Sequence, residues 1–197
     1  MEIGRLLTAM ITPFDENGDI NYDMAAKLSK AIIDSGSDGL VIGGTTGEAP
    51  TINDQEKLKL FSVVKESIGS EHALIAGTTN NNTKESVKLS KLAEAAEVDG
   101  LLLTVPSYNK PTQDGLYQHF RSISEEVSIP CILYNVPSRT SLNMTDETTI
   151  KLSDLKNIVG IKGHRSVGGI RISLYNSVDS EMVDYISEFI SNFFKKI

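Results

Sequence analysis

The stretch Gly100-Leu101-Leu102-Leu103-Thr104-Val105, GLLLTV, is apolar almost from end to end and does not alternate with polar residues. A strand with one wet face alternates, whereas a strand of a parallel sheet covered on both faces reads as a continuous apolar run. Comparable runs begin near Leu6 (LLTAMIT), Gly39 (GLVIGG), Ala73 (ALIAGT), Pro130 (PCILYNV) and Ile158 (IVGIK). They recur roughly every 30 residues, the length of a βα unit. Helical patterns fill the gaps: Met24, Ala25, Leu28, Ala31 and Ile32 share one expected face, and Leu116, Phe120, Ile123 and Val127 share another. Asn53 followed by Glu56 reads as a capping pair ahead of Leu60, Phe61 and Val64. The class is α/β. No Gly-x-Gly-x-x-Gly follows the first strand, so the series favours an incomplete TIM-type (βα) barrel of about six βα units, with a doubly wound sheet as the alternative.

The rhythm breaks after Lys162. The next strand-like run, Gly169 to Asn176 (GIRISLYN), is separated from it only by Gly163 to Gly168, whereas a parallel crossover takes about a dozen residues or more. One more amphipathic helix pattern follows, with Met182, Ile186, Phe189, Ile190 and Phe193 on a face and Lys195-Lys196 at its end. The expected organisation is therefore a partial barrel over residues 1–162 and a C-terminal strand-helix segment over residues 163–197.

Composition narrows the function classes. The 197 residues are 40% apolar and 23% charged, with a net charge of -7 and an isoelectric point near 5.0. That charge argues against nucleic acid or an anionic membrane as partner and favours a small metabolite. The N-terminal MEIGRLLTAMITPF carries one early basic residue, and Pro13 breaks its short apolar run, which fits neither a signal peptide nor a membrane span. A lone cysteine, Cys131, sits in an apolar strand pattern, where a buried thiol and a reducing, cytoplasmic setting are expected.

In a βα barrel the working groups lie at the C-terminal ends of strands. The second strand runs into GGTTGEAPT, where Thr45, Thr46 and the glycines offer hydroxyls and backbone N–H groups to a carboxylate; a plain Gly/Thr turn is the bland alternative. The fourth offers Tyr108, the fifth Tyr134 and Arg139, and the sixth ends at Lys162. A lysine ending an apolar strand is costly to bury as an ammonium, and desolvation favours the neutral amine that attacks a carbonyl to form a Schiff base. A nearby tyrosine can shuttle the protons, and an arginine can hold a carboxylate. A solvated lysine at a strand exit is the competing reading.

GGTTGEAPTI, TVPSYNKPTQDGLYQHF, YNVPSRT and NIVGIK together resemble the dihydrodipicolinate synthase branch of the N-acetylneuraminate lyase-like class I aldolases, over about Ile3 to Lys162. The resemblance implies that Lys162 forms a Schiff base with pyruvate and that Tyr134 donates and accepts protons. It further implies a relay hydroxyl at Thr45, a pyruvate-carboxylate contact at Thr46, a relay tyrosine at Tyr108 that is often supplied across a dimer interface, and a contact from Arg139 to the aldehyde's carboxylate. The implied reaction condenses pyruvate with aspartate semialdehyde for lysine biosynthesis, with no metal or organic cofactor.

The remaining segment, KGHRSVGGIRISLYN onward, resembles the C-terminal end of phosphoserine aminotransferase, in which the matching His164, Arg165 and Arg171 would meet an anionic substrate. The cofactor lysine and large domain of that family are missing, so the simpler expectation for His164 and Arg165 is a solvated loop. Rival expectations are a non-catalytic chimeric or structural chain and a phosphate-ester binder at the GHR motif. An open barrel edge favours a homo-oligomer.

Overall fold

The computed structural model describes residues 3–162. Six strands, β1 (Leu7–Ala9), β2 (Gly39–Ile42), β3 (Ala73–Gly77), β4 (Gly100–Thr104), β5 (Cys131–Tyr134) and β6 (Ile158–Lys162), form one parallel sheet in sequential order. The crossovers carry α1 (Tyr22–Asp34), α2 (Asp54–Ile68), α3 (Thr83–Ala95), α4 (Gln113–Ser124), the single turn α5 (Pro137–Thr140) and α6 (Asp146–Ser153). A doubly wound sheet reverses its strand order at a switch point. The unbroken order from β1 to β6 does not.

The two faces of the sheet settle the architecture. Leu40, Ile42, Leu74, Ala76, Leu101, Leu103, Cys131 and Leu133 pack in one cluster with the helix residues Leu60, Phe61, Val64, Leu116 and Phe120. The alternate residues Val41, Ile75 and Leu102 form a second cluster, packed by Leu7, Ala9, Ile132 and Tyr134 from the strands themselves. Helices on one face and strand side chains on the other are the layering of a βα barrel, whose interior is filled by its own strands. This explains the apolar runs: both faces are buried, but by different partners.

Local signals set the helix starts. Asn53 and Glu56 form the expected capping box at α2, with Glu56 N–H donating to Asn53 Oδ1 and Asn53 N–H to Glu56 Oε2. Thr112 caps α4 and Thr145 caps α6 through their hydroxyls. Two expectations need correction. On α1 the inward line is Ala25 and Ser29 with Leu28 and Ile32 beside it, while Met24 is 48% exposed and Ala31 faces out. Position 25 plus four is 29, so a small polar serine fills the core row that an apolar count passes over. Val127 is buried as expected, but it lies beyond the end of α4 at Ser124.

The N-terminal end of the sheet is tied by carboxylates. Asp38, just before β2, accepts the Arg5 and Leu6 N–H groups at 2.7 Å each. Asp99, just before β4, accepts the Leu74 N–H at 2.7 Å and pairs with Lys65 at 2.6 Å. Each aspartate precedes a glycine that opens a strand; a Cβ on Gly39 would stand 2.4 Å from the Ala73 carbonyl oxygen. The Asp-Gly pair thus clasps the preceding strand and makes room for the next. The segment expected as a strand and helix over residues 163–197 lies outside the described residues.

Candidate active site

At the opposite end the strands deliver the residues singled out above to one edge. Thr104 of β4 pairs in register with Tyr134 of β5, and Tyr134 pairs with Lys162 of β6. Neighbouring strands lie about 4.8 Å apart, so the backbones of the tyrosine and the lysine stand side by side at the C-terminal edge. Tyr134 packs, half-buried, against the cluster of Val41, Ile75 and Leu102 that fills the interior. Its carbonyl accepts the Val105 N–H at 3.0 Å, which joins the exits of β4 and β5.

The turn after β2 is built by its glycines. Gly43 has φ +66, in the region that favours glycine, and Gly77 leaves room for it: a Cβ at position 77 would lie 2.2 Å from the Gly43 carbonyl oxygen. The turn closes through Glu48 N–H to Thr45 O at 3.2 Å and Ala49 N–H to Gly44 O at 3.3 Å. Glu48 adopts φ +55, unusual for a residue with a side chain. Thr45 and Thr46 sit half-buried in this turn. Thr12, from the loop after β1, is buried and donates its hydroxyl to Gly47 O at 2.7 Å. The turn is tied to the loop after β1 and given room by Gly77 of β3.

Tyr108 is 90% exposed and has φ +72. It lies on the loop after β4 and takes no part in the interior that holds Tyr134. Arg139 is exposed on α5, the single turn after β5. The structure thus sets the backbones of Tyr134 and Lys162 side by side, places Thr45 and Thr46 on the same edge, and leaves Tyr108 and Arg139 on its outer rim. His164, Arg165 and Arg171 lie outside the described residues.

Several residues at this edge escaped the sequence reading. Thr79 accepts the Thr104 N–H at 2.7 Å, and Asn109 donates to Asn81 O at 3.4 Å, linking the loops after β3 and β4. Asn135, inside the YNVP motif, is buried and bonds to Asn143 and Met144. Gln113 reaches Asn143, Thr145 and Thr148. Only position beside a strand exit could have flagged them, since apart from those of Asn135 their partners lie 25 or more positions along the chain.

Burial marks two titratable groups as bystanders. Burial pushes the Cys131 thiol up to about 12, so it is an inert core group, as its apolar run implied. Burial also drops His119 to about 4. Its Nδ1 bonds the Thr83 hydroxyl at 2.8 Å, and its buried Nε2 has no hydrogen-bond partner among the described residues. Among the described residues no three His, Cys, Asp or Glu side chains group where a metal ion could sit. Nor is any described helix long and apolar enough to cross a membrane.

Known proteins share the sequence and fold of this chain. The 4-hydroxy-tetrahydrodipicolinate synthase of Symbiobacterium thermophilum is 54% identical over 166 residues, covering 84% of this chain and 57% of that protein. The namesake from Moorella thermoacetica is 52% identical over 162 residues, covering 82% and 56%. This chain therefore spans about half the length of the curated relatives it matches. A crystal structure of dihydrodipicolinate synthase from Bacillus anthracis superposes with a TM-score of 0.85 at 36% identity, covering 100% of this chain and 78% of that one. The chloride-inhibited enzyme from Acinetobacter baumannii, complexed with pyruvate, gives 0.79 at 39% identity, covering 81% and 55%. The family match runs past the boundary expected at Lys162, and these matches give no support to an aminotransferase-like tail. Extending over residues 2–185, it makes the chain a member of the dihydrodipicolinate synthetase family.

Proposed function

We propose that this chain carries out pyruvate-dependent Schiff-base chemistry, condensing pyruvate with aspartate semialdehyde on the route to lysine. The observation that carries the reading is the register pairing of Tyr134 with Lys162 at the C-terminal edge. A neutral Lys162 amine attacks the keto carbon of pyruvate, and the carbinolamine loses water to leave a carbon–nitrogen double bond. Both steps move protons to and from oxygen, the task of a general acid–base group on the adjacent strand, here Tyr134 with Thr45 and Tyr108 completing a relay. Loss of a methyl proton then gives an enamine whose carbon attacks the aldehyde.

Thr46 and the backbone N–H groups of the Gly43–Glu48 turn suit the pyruvate carboxylate, and Arg139 on the rim suits the carboxylate of the second substrate. The relatives' name and the pyruvate complex of the Acinetobacter enzyme support the substrate assignment. Because Tyr108 is exposed on the rim, it joins the relay when a second copy brings it over a neighbour's site, which makes the working unit a homo-oligomer, in a cytoplasmic setting. The division into a barrel piece over 1–162 and a separate segment over 163–197 rests on the short Gly163–Gly168 connection. The anion-binding role of His164, Arg165 and Arg171 rests on sequence alone.

Borohydride reduction in the presence of pyruvate is expected to leave a stable carboxyethyl adduct on Lys162, read by peptide mass. Folded protein that gives no adduct at saturating pyruvate overturns the assignment.

A further inference from the structure

Two side-chain amides converge on the loop that carries Arg139. The loop leaves β5 at Asn135 and returns at Met144, nine positions on, where Met144 N–H donates to Asn135 Oδ1 at 3.2 Å. Asn135 Nδ2 donates in turn to Asn143 Oδ1 at 2.9 Å and to Met144 O at 3.4 Å. From the other side Gln113, the first residue of α4, donates Nε2–H to Asn143 O at 2.8 Å. Its Oε1 accepts the Thr145 N–H at 3.0 Å and the Thr148 hydroxyl at 2.8 Å. Backbone groups of three consecutive residues, 143, 144 and 145, are thus held by two amides from two different elements. Arg139 sits in the middle of the loop so closed.

Gln113 follows directly on the loop that carries Tyr108. Through it the start of α4 and the far limb of the Arg139 loop become one rigid piece. An amide suits the task because it donates and accepts at once; a carboxylate would lose the donor and set a charge against the Asn143 carbonyl. Holding a binding arginine in place before the ligand arrives lowers the ordering cost of binding.

We propose that Gln113 and Asn135 are positioning residues that set the Arg139 turn against the Tyr108 loop and thereby govern affinity for the aldehyde's carboxylate without touching substrate. The proposal rests on the pyruvate-condensing reading above. Asn135 is buried and Gln113 only half-buried, so the test falls on Gln113. Gln113→Met is expected to raise the half-saturating concentration of aspartate semialdehyde roughly ten- to a hundredfold, while pyruvate adduct formation on Lys162 keeps its pyruvate dependence. Gln113→Glu keeps the two accepted bonds and falls between. An unchanged aldehyde requirement, or an equal rise for both substrates, overturns the proposal. If the parent chain forms no pyruvate adduct, the functional reading fails and amide exchange decides the positioning role. Faster exchange at Met144 and Thr145 in Gln113→Met, with β2 to β4 unaltered, supports it; unchanged exchange overturns it.

Discussion

At the N-terminal end of the sheet carboxylates carry many of the ties between units, Asp38 on Arg5 and Leu6, Asp99 on Leu74 and Lys65, and Glu94 on Ser128, beside neutral ties from Ser37 to Leu6 and from Asn157 to Ser124 and Val127. At the C-terminal end the corresponding ties are hydroxyls and amides: Thr12 on Gly47, Thr79 on Thr104, and Gln113 and Asn135 on the Arg139 loop. A carboxylate makes the stronger, charge-assisted bond to a backbone N–H, but its field reaches any titrating neighbour. On the Schiff-base reading proposed above, which calls for a neutral amine at Lys162, neutral ties suit this edge because they hold the loops without adding charge to it. The end away from the proposed chemistry can use charge freely. The division matches the general separation of stability and catalysis between the two ends of such barrels.

The sharpest way to break this comparison is Tyr134→Phe. Condensation is expected to fall about 10²–10⁴-fold, as for loss of a general acid–base group, while stability changes by about 1 kcal/mol or less. A variant that condenses at the parent rate would remove Tyr134 from the chemistry. Asp99→Ala should do the reverse. It strands the Lys65 ammonium, whose side chain is 17% exposed, and the Leu74 N–H, at a cost of about 3 kcal/mol in urea unfolding. The pyruvate adduct of the folded fraction should stay at the parent yield.

Between the two ends, His119 in the helix layer adds a pH dependence. Its folded value of about 4 lies below the unfolded value of about 6.5, so the unfolded chain binds the proton first. Stability is therefore whole above about pH 6.5 and declines as the pH falls toward 4, by up to about 3 kcal/mol. His119→Gln should flatten that part of the curve; an unchanged slope would assign it elsewhere. The smallest effect is expected from Asp38→Asn. Backbone hydrogen bonds from Leu6 and Arg5 hold the Asp38 carboxyl below its usual range. Its contribution is present above the unfolded value and lost as the pH falls through the folded one. The asparagine variant should therefore lose less stability below about pH 4, seen as a shallower acid limb in thermal melts.

Much of this was legible along the chain. The apolar runs mark all six strands, the Asn53 and Glu56 pair marks the start of α2, and the residues at the strand exits name Thr45, Tyr134 and Lys162. These signals are local, carried by periodicity and capping within a few residues. Other features were misread or missed for one reason. Ser29 rather than Met24 faces inward on α1, because the neighbouring α2 decides which row is covered. Gln113, Thr12 and Asn135 look like ordinary loop polar residues, and their partners stand 35, 35 and 9 positions away.

The sequence by itself determined the α/β class, the order of the elements and the kind of residue at each strand exit, because each depends on neighbours along the chain. Only the tertiary structure decided that the helices gather on one face and that Tyr134 stands beside Lys162. It alone showed neutral side chains brace the edge where they meet. Register between strands and the closure of loops across units arise from contacts between segments far apart in the chain, which no local pattern records.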